Sequence, residues 1–573
     1  MIIDLLGDET VLRAAAAQFE EFEVNFHDAQ SSPSNEGDIV VLATDQSDQI
    51  TKFNKQLQEN GRRLVVVEIG SSGSNYIPGL RISISFHPPN GPCYQCLVSR
   101  VEAATQTDSH STEAVPSSTK RIAGAIAGEQ ATMWLNGDAS VAGTVIELPW
   151  NRRRLLPVPA CPDCQPTDFE RWHGRVSTTG TERSLEEAVT AAEQTIDDRL
   201  GLITALGEAE SRPLPYYLAT LADTQVFSDV SAPRQSAGVA DDWNEAFMKA
   251  VGEGLERYCA GVYRESSLTR GTPDEIADAI HPEAFVRPDG NESINGAIPW
   301  LPATDLETNE TVSVPAEMVL FPPPTRDIRP AITTGLALGN TTTEGKLVGL
   351  TEVLERDAAM LAWYSSYEPI GIDIENDRYQ QLVRYASTEQ LCVSTVLLTQ
   401  DIDLPVMATA VYRDTEFPRF AVGSAASLDP TGAAISSLQE ALQNWMELRS
   451  LGEDRAHEEE SRIAKYAASP GKALAFMTPD TMIGIESLGS APAAQEERLS
   501  RVTELAVDAG LTPLWTETTP RDLAAVGFRS GRVLVPSAQP LFTGRAYFGE
   551  RATTIPQELG FSPTLNSAPH PFP

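Results

Sequence analysis

The chain has 573 residues, with 80 Asp and Glu against 43 Lys and Arg, which gives a formal net charge of −37 at pH 7. The acidic residues are spread along the whole chain, and lysine occurs only seven times. Such a surface repels nucleic acid and anionic membranes and needs salt to screen it, so we expect a halophilic protein without those partners.

The sequence shows neither a signal peptide nor an apolar run long enough to span a membrane. Six cysteines in a chain of this length do not make a disulfide scaffold. Together these features predict a cytoplasmic protein.

Residues 1–178 are predicted to form a small N-terminal α/β domain. The apolar runs at 39–43 and 64–67 are typical of buried parallel strands. The alternating stretch 81–86 predicts a further strand, and the apolar spacing over 11–22 predicts an amphipathic helix.

Two Cys-x-x-Cys pairs in this region predict a structural zinc site, because four thiolates complete a tetrahedral shell. The loop between the pairs is long, so the fold has to bring them together. A thioredoxin-like redox pair and plain buried cysteines are the alternatives. Two further cysteines, Cys259 and Cys392, lie in apolar stretches and are predicted to be core residues. The predicted zinc ligands are Cys93, Cys96, Cys161 and Cys164.

Residues 184–573 are predicted to form one large α/β domain, which a linker at 174–183 joins to the first domain. A predicted helix over 184–210 begins with a capping box formed by Ser184 and Glu187. The other predicted elements are helices at 241–262, 343–364 and 431–449, strands at 332–338, 392–399, 405–412 and 418–422, and a solvated acidic insert at 452–461.

Two segments of the large domain, 253–257 and 352–356, share the pattern Glu-x-x-Glu-Arg within predicted helices. A spacing of three places both carboxylates of a pair on one helical face. Like charges this close repel unless a cation or a proton lies between them. Because magnesium prefers oxygen ligands and often shares its shell with phosphates, the pattern predicts a magnesium–polyphosphate site. The alternative is a solvated acidic face.

The second segment follows a distinctive strand, turn and helix. Gly335 and Gly339 flank the end of the predicted strand, where glycine lets the backbone come close to a ligand. Asn340 and Glu344 follow at a spacing of four and precede the Glu-x-x-Glu-Arg segment. The sequence contains no P-loop and no protein-kinase signature, so a different kind of nucleotide site is indicated.

Over about 185–573 the chain resembles the YcaO family, whose members bind ATP and magnesium through helices that carry carboxylates. The family pattern includes a Glu-x-x-Glu-Arg helix, a Gly-x-Ala-x-Gly-Asn strand and turn before another such helix, and a third helix with Glu-x-x-Gln, here Glu440 to Gln443. The chain ends in Pro569-His-Pro571-Phe-Pro573. This end is similar to the Pro-x-Pro-x-Pro terminus of azoline-forming members, in which the terminus forms part of the active site.

The resemblance implies a role for each matching residue. The implied magnesium ligands are Glu253, Glu256, Glu352 and Glu355. The implied nucleotide contacts are Asn340, Glu344, Glu440 and Gln443. The implied catalytic groups are the Pro573 carboxylate, which would handle a proton, and Arg257 and Arg356, which would neutralise phosphate or orient the glutamates.

The resemblance further implies an ATP-dependent peptide cyclodehydratase that converts Cys, Ser or Thr of a ribosomal precursor peptide into thiazoline or oxazoline. The implied cofactors are ATP, Mg²⁺ and structural Zn²⁺. The implied partners are the precursor peptide, a separate leader-peptide-binding protein or dehydrogenase, and a second copy in a homodimer. One alternative is a YcaO thioamide synthetase, against which the proline tail argues. The other is a non-catalytic, peptide-presenting scaffold.

The N-terminal region is similar to the partner domain, itself like ubiquitin-activating enzymes, that is often fused to cyclodehydratases, here as a haloarchaeal-type fusion. It lacks a Gly-x-Gly-x-x-Gly turn, so it is not expected to bind ATP. It also lacks an evident winged-helix segment for peptide recognition. The large domain departs from the family pattern at Val239, Lys249 and Trp445, which stand where the family usually has lysine, a small serine-like residue and arginine.

Overall fold

The computed structural model describes residues 1–27, 37–105, 114–164, 180–288, 294, 296–458 and 462–573. These residues form a mixed α/β fold, which confirms the predicted fold class. The strands of the N-terminal region are β1 (Ile2–Gly7), β2 (Glu23–His27), β3 (Ile39–Thr44), β4 (Arg63–Ile69), β5 (Ile82–His87), β6 (Thr144–Leu148) and β7 (Asn151–Arg154). Its helices are α1 (Glu9–Ala16), α2 (Ser47–Glu59), α3 (Tyr94–Ala104) and α4 (Ser117–Leu135).

The N-terminal strands form one sheet in the order β2-β1-β3-β4-β5-β6-β7. The first four are parallel, and β5, β6 and β7 continue the sheet antiparallel. Alternate residues of β3 belong to two different apolar clusters, one containing residues of α1 and α4 and the other residues of α2 and α3. The sheet is therefore covered on both faces, as its apolar runs predict.

The predicted helix over 11–22 is shorter than expected. Asp8 caps α1 by accepting hydrogen bonds from the N–H groups of Thr10 and Val11, and the helix ends at Ala16. The chain then turns into the edge strand β2, which pairs in parallel with β1. The apolar residues Phe19 and Phe22 therefore lie in the turn before β2 instead of in a helix.

The large region contains the remaining elements. Its strands are β8 (Ile203–Glu210), β9 (Tyr216–Leu221), β10 (Gln235–Val239), β11 (Thr269–Gly271), β12 (Ile298–Asp305), β13 (Thr311–Pro315), β14 (Leu336–Gly339), β15 (Ile370–Asp373), β16 (Cys392–Leu397), β17 (Val406–Tyr412), β18 (Phe420–Ala426), β19 (Met482–Gly484), β20 (Leu514–Glu517) and β21 (Arg529–Leu534). Its helices are α5 (Leu185–Glu193), α6 (Trp243–Gly261), α7 (Thr342–Trp363), α8 (Asp377–Thr388), α9 (Pro430–Leu451), α10 (Glu453–Glu458), α11 (Arg462–Ala468), α12 (Gly471–Met477), α13 (Gln495–Asp508), α14 (Arg521–Val526) and α15 (Arg551–Glu558).

The same arrangement of elements occurs twice in this region. The antiparallel strands β8, β9 and β10 precede α6, and the antiparallel strands β16, β17 and β18 precede α9. Each helix packs on the last strand of its own set. A third helix, α7, follows β14, the edge strand of the sheet ordered β11-β12-β20-β21-β14. The predicted helices that carry the glutamates are thus all present.

The prediction of one helix over 184–210 is wrong in its second half. The capping box is present, because Ser184 and Glu187 exchange side-chain and backbone hydrogen bonds, but α5 ends at Glu193. Asp197 then accepts the N–H groups of residues 199 and 200 in a turn. The following segment pairs with β9 as strand β8, so tertiary pairing overrides a helix-favouring composition.

The cysteines outside the predicted zinc site differ in burial. Cys259 is 1% exposed within α6, as predicted. Cys392 is exposed, so its assignment to the core is wrong. It is the first residue of β16, opposite Tyr412 at the end of the ladder, and the buried positions of this strand begin at Thr395.

Two predicted segments lie partly outside the described residues. For the linker at 174–183 these are residues 174–179, and for the acidic insert at 452–461 they are residues 459–461. The part of the insert that is described forms α10. Among the described residues, no helix is long and apolar enough to cross a bilayer.

The N-terminal and large regions meet at a buried polar contact. Arg100 of α3 donates to Asp522 of α14 at 2.5 Å and to the hydroxyl of Tyr258 at 3.3 Å. The Tyr258 hydroxyl also donates to Asp522 at 2.5 Å. Both members of the ion pair have fully buried side chains. The contact fixes α3 against α6, the helix with the first Glu-x-x-Glu-Arg segment.

Candidate functional site

Two adjoining cavities lie among α6, α7 and α9. The smaller has a volume of about 530 Å³ and the larger about 760 Å³. Four residues line both and form a shared wall, namely Ala237, Glu253, Glu440 and Gln443. Predicted site residues found only in the smaller cavity are Glu256, Asn340 and Glu344. Those found only in the larger are Arg257, Glu352, Arg356 and Pro573.

Backbone N–H groups of neighbouring strands hold the two glutamates of the shared wall. Glu253 accepts from the N–H of Ala237 in β10 at 2.8 Å. Glu440 accepts from the N–H of Ser424 in β18 at 2.6 Å. In both cases the donor lies 16 residues before the acceptor. The two copies of the strand-and-helix unit therefore present one carboxylate each in an equivalent way.

Glycine makes this close packing feasible. A Cβ atom at Gly238 would lie 2.3 Å from the backbone nitrogen of Ala250 in α6. A Cβ atom at Gly423 would lie 2.4 Å from the backbone nitrogen of Ala441 in α9. Any side chain at either position would push the strand away from the helix and break the bond to the carboxylate.

Two further cavity glutamates are held in the same manner. Glu256 accepts from the N–H of Leu338 in β14 at 3.0 Å, which connects α6 to the strand before α7. Glu352 accepts from the N–H of Gly335, also at 3.0 Å. Glu256 and Glu352 thus each have one oxygen committed to the backbone, which leaves the second oxygen for a ligand. The second oxygen of Glu253 accepts from the Arg257 guanidinium at 2.5 Å.

Burial and mutual repulsion shift the pKa values of Glu256, Glu352 and Glu440 upward. Burial, followed by the charges of Glu352 and Glu253, raises the pKa of Glu256 to about 8. Burial raises the pKa of Glu440 to about 7, and it also raises the pKa of Glu352. Carboxylates in this state are stabilised by a bound cation, because a cation removes the repulsion that the protons otherwise relieve. The chemistry of the donor set therefore fits a divalent metal with oxygen ligands.

Arg356 forms ion pairs with one predicted metal ligand, Glu355, and with one predicted nucleotide contact, Glu440. The nearest guanidinium nitrogens of Arg356 are 3.4 Å from Glu355 and 3.7 Å from Glu440. Glu355 is 6% exposed, lines neither cavity and accepts from the hydroxyl of Ser424 at 2.6 Å. The role of Glu355 as a magnesium ligand stays a prediction.

Ser424 is a site residue that the sequence did not reveal. Its N–H donates to Glu440, its hydroxyl donates to Glu355, and Arg356 donates to its hydroxyl at 3.1 Å. It lines the smaller cavity. A serine within a strand gives no local signal of such a function, because its partners come from the helices α7 and α9.

Asn340 and Glu344 form a small polar unit at the start of α7. Glu344 accepts from the backbone N–H of Asn340 at 2.9 Å and from its side-chain amide at 3.2 Å. The Oδ1 atom of Asn340 is buried and, among the described residues, has no hydrogen-bond partner. A buried acceptor without a partner costs free energy, so a donor group of a ligand fits this position. Gln443 points its amide at Glu447, at 3.1 Å, and lines the shared wall.

The proline-rich tail is packed onto the protein. The indole N–H of Trp363 donates to the carbonyl oxygen of Ala568 at 2.8 Å. A ring nitrogen of His570 is 2.8 Å from the carbonyl oxygen of Phe542, and Phe572 is 2% exposed. These contacts bring Pro573 to the wall of the larger cavity.

The four predicted zinc ligands lie together, as the paired motifs require. Their Sγ atoms are all within 4.8 Å of one another, with closest separations of 3.5, 3.6 and 3.9 Å. A tetrahedron with Zn–S bonds of about 2.3 Å has edges of about 3.8 Å, so the cluster has the size of a zinc tetrathiolate. None of the four is in a disulfide. They share an apolar cluster with Leu255 and Tyr258 of α6.

The chain is similar to a protein of Methanothermobacter thermautotrophicus described as uncharacterized, with 30% identity over 242 residues. That match covers 40% of this chain and 62% of the relative. The chain thus spans about three-fifths of the length of the curated relatives that it matches.

Solved structures show a similar fold. A heterocyclase in complex with substrate and cofactor superposes with a TM-score of 0.73 at 20% identity, over 98% of this chain and 83% of that one. The YcaO protein of Methanopyrus kandleri, bound with AMPPCP and Mg²⁺, gives a TM-score of 0.53 at 21% identity, over 65% of this chain and 98% of that one. The first likeness includes the N-terminal region, so the arrangement of both regions has a precedent.

A family model described as "YcaO cyclodehydratase, ATP-ad Mg2+-binding" matches residues 237–539, a span that contains α6, α7 and α9. Because this match covers more than half of the chain and includes both Glu-x-x-Glu-Arg helices, the chain belongs to the YcaO family.

Proposed function

We propose that the chain is an ATP-dependent peptide cyclodehydratase that forms thiazoline or oxazoline rings. The observation that carries the proposal is the shared wall, where Glu253 of α6 and Glu440 of α9 separate two adjoining cavities. One cavity suits a metal-bound nucleotide and the other a peptide. The heterocyclase of similar fold was solved with substrate and cofactor, which supports the two-ligand arrangement.

The smaller cavity is proposed to hold the nucleotide. The Methanopyrus kandleri protein of similar fold binds an ATP analogue with Mg²⁺. Here Glu256, together with Glu352 from the adjoining cavity, would hold magnesium through uncommitted oxygens, and Glu253 through the oxygen that Arg257 contacts. Glu344, Glu440 and Gln443 would contact the nucleotide. The buried Oδ1 atom of Asn340 would accept a hydrogen bond from it. Magnesium supplies neutralisation of phosphate charge, which is the main requirement of phosphoryl transfer.

The larger cavity is proposed to hold the peptide. A Cys, Ser or Thr side chain attacks the preceding backbone carbonyl carbon, and the carbonyl oxygen becomes an oxyanion. This oxygen takes the γ-phosphoryl group of ATP, which releases ADP, and then leaves as inorganic phosphate as the C=N bond forms. The Pro573 carboxylate at the cavity wall would accept a proton during ring closure. Arg257 and Arg356, which line the same cavity, would stabilise the phosphate charge.

The N-terminal region is proposed to be a zinc-stabilised partner domain, with the four clustered cysteines as ligands and a boundary near residue 180. We further propose a precursor peptide made by the ribosome as the substrate. A separate protein for the leader peptide, a dehydrogenase and a homodimer stay predictions.

The test is incubation of the protein in high salt with MgATP and candidate precursor peptides, with mass spectrometry to detect loss of one water per ring. Glu352→Gln should abolish water loss and peptide-dependent ADP release while leaving the circular dichroism spectrum unchanged. Glu496→Gln, on the exposed face of α13, is the matched control and should retain turnover. Wild-type protein that releases no ADP with any peptide would instead favour the scaffold, and sulfide-dependent products would favour a thioamide synthetase.

A further inference from the structure

Lys249 lines the smaller cavity, and the proposed reaction assigns no role to it. It lies on α6, one turn before Glu253. Among the described residues that line this cavity it is the only cation, whereas four glutamates line it. A polyphosphate in such an acidic cavity needs every available positive charge.

The ammonium group of Lys249 has unused hydrogen-bonding capacity. Its Nζ atom donates to Oε1 of Gln439 at 2.7 Å. In the described part of the chain, no carboxylate oxygen forms an ion pair with it within 4.0 Å. An ammonium group has three donors, so two remain for a ligand. An ammonium without an ion-pair partner at a cavity wall is suited to an anion.

Gln439 is itself held in place, so its bond to Lys249 is a fixed anchor. The Gln439 amide donates to Asp241 at 2.7 Å, and Asp241 accepts from Arg378, also at 2.7 Å. Gln439 is 2% exposed. The oxygen of a neutral amide orients the lysine without neutralising its charge. The chain of bonds therefore positions a cation and keeps it available.

The Cβ end of the Lys249 side chain is also fixed in position. A Cβ atom at Gly238 would lie 2.8 Å from the Cβ of Lys249, so strand β10 packs directly against this residue. Burial lowers the pKa of Lys249 to about 8, with the charges of Glu245 and Glu440 opposing that shift. The group is therefore mostly protonated near neutral pH.

Two of the residues that depart from the family pattern are unable to provide this charge. Val239 and Trp445 are both fully buried, and both belong to the same apolar cluster. Lys249 reaches the cavity from the neighbouring helix α6, on the wall formed with β10.

We propose that Lys249 binds a phosphate group of the nucleotide directly. Its ammonium group would neutralise part of the phosphate charge, beside magnesium. The inference rests on the proposed nucleotide site. Lys249 would recognise the phosphate groups of the nucleotide and would not recognise the nucleoside.

The experiment is isothermal titration of the full chain with MgATP and with adenosine. Lys249→Gln removes the charge but retains a side chain able to hydrogen-bond with Gln439. We expect its affinity for MgATP to fall about 10- to 100-fold, the usual effect of losing a hydrogen bond from a charged group, and its affinity for adenosine to stay unchanged. Lys249→Arg should restore most of the affinity for MgATP. Lys346→Gln, on α7 and outside this cavity, is the matched control and should bind as wild type.

The possible outcomes separate this inference from the proposed function. Unchanged MgATP affinity in Lys249→Gln would overturn the inference and leave the proposed function intact. An equal loss of MgATP and adenosine affinity would also overturn it, because the lysine would then shape the cavity without binding phosphate. Wild-type protein that binds no MgATP would refute the proposed nucleotide site itself.

Discussion

The buried ion pair between Arg100 and Asp522 allows a quantitative prediction about how the two regions are held together. Both side chains are fully buried. In Arg100→Met, Asp522 keeps the hydroxyl of Tyr258 and the N–H of Leu523 as donors but loses its charged partner. Removing one member of a buried pair costs about 3–5 kcal/mol, because the other charge stays buried without compensation.

This cost converts into a measurable change in melting temperature. With an unfolding entropy of about 2.1 cal/mol/K per residue, a loss of about 4 kcal/mol lowers the Tm of a chain of this length by roughly 3 °C if the whole chain melts together. Separate melting of the N-terminal region would give a larger shift for that transition. Differential scanning calorimetry in high salt measures both cases.

Two further variants make the prediction refutable. Arg100→Met combined with Asp522→Leu replaces the pair by apolar groups and should recover most of the lost stability. Arg13→Met removes one member of an exposed pair with Glu9 and should change stability by less than about 1 kcal/mol. The reasoning is wrong if Arg100→Met lowers the stability as little as Arg13→Met does. It is also wrong if the double variant is no more stable than Arg100→Met alone.

Three other predictions concern the site and the metal. Deletion of residues 571–573 should reduce peptide-dependent ADP release far more than the affinity for MgATP, and an equal loss of both would show that the tail is purely structural. Lys249→Arg keeps a cation that does not lose its proton between pH 6 and 9, whereas Lys249 itself, with a pKa of about 8, does. Because the raised pKa values of Glu256 (about 8) and Glu440 (about 7) keep these groups partly protonated at neutral pH, the MgATP affinity of Lys249→Arg should rise as the pH increases from about 6 to 9. Adding Glu256→Gln should flatten the upper part of that titration, and a flat profile of Lys249→Arg would contradict the argument. Elemental analysis should find one zinc ion per chain, and Cys161→Ser should lower both the zinc content and the Tm, whereas a metal-free wild-type protein of unchanged stability would exclude the zinc site.

The long helices of the site were predictable from the sequence. The boundaries of α6, α7 and α9 fall within two residues of the predicted ones. The Ala, Leu and Glu residues of segment 203–210 predict a helix, whereas the segment forms strand β8. Its pairing with β9 is a non-local interaction that composition does not encode.

Parts of the candidate site were beyond sequence reasoning for a related physical reason. The clustering of the cysteines follows from their paired motifs, although 68 residues separate Cys93 from Cys161. The contacts of Ser424, the N–H bonds to the glutamates and the burial of Glu355 depend on how strands and helices are packed. Such contacts have no spacing rule until the strand that supplies the donor is known.

The equal separation of 16 residues between donor and glutamate in the two strand-and-helix units has a consequence for changes in chain length. One residue inserted within α9 before Glu440 would rotate this side chain by about 100° around the helix axis and remove it from its donor in β18. A substitution on the outer face of the same helix would leave the geometry intact. The number of residues between Ser424 and Glu440 is therefore more tightly constrained than the identity of most residues in that interval.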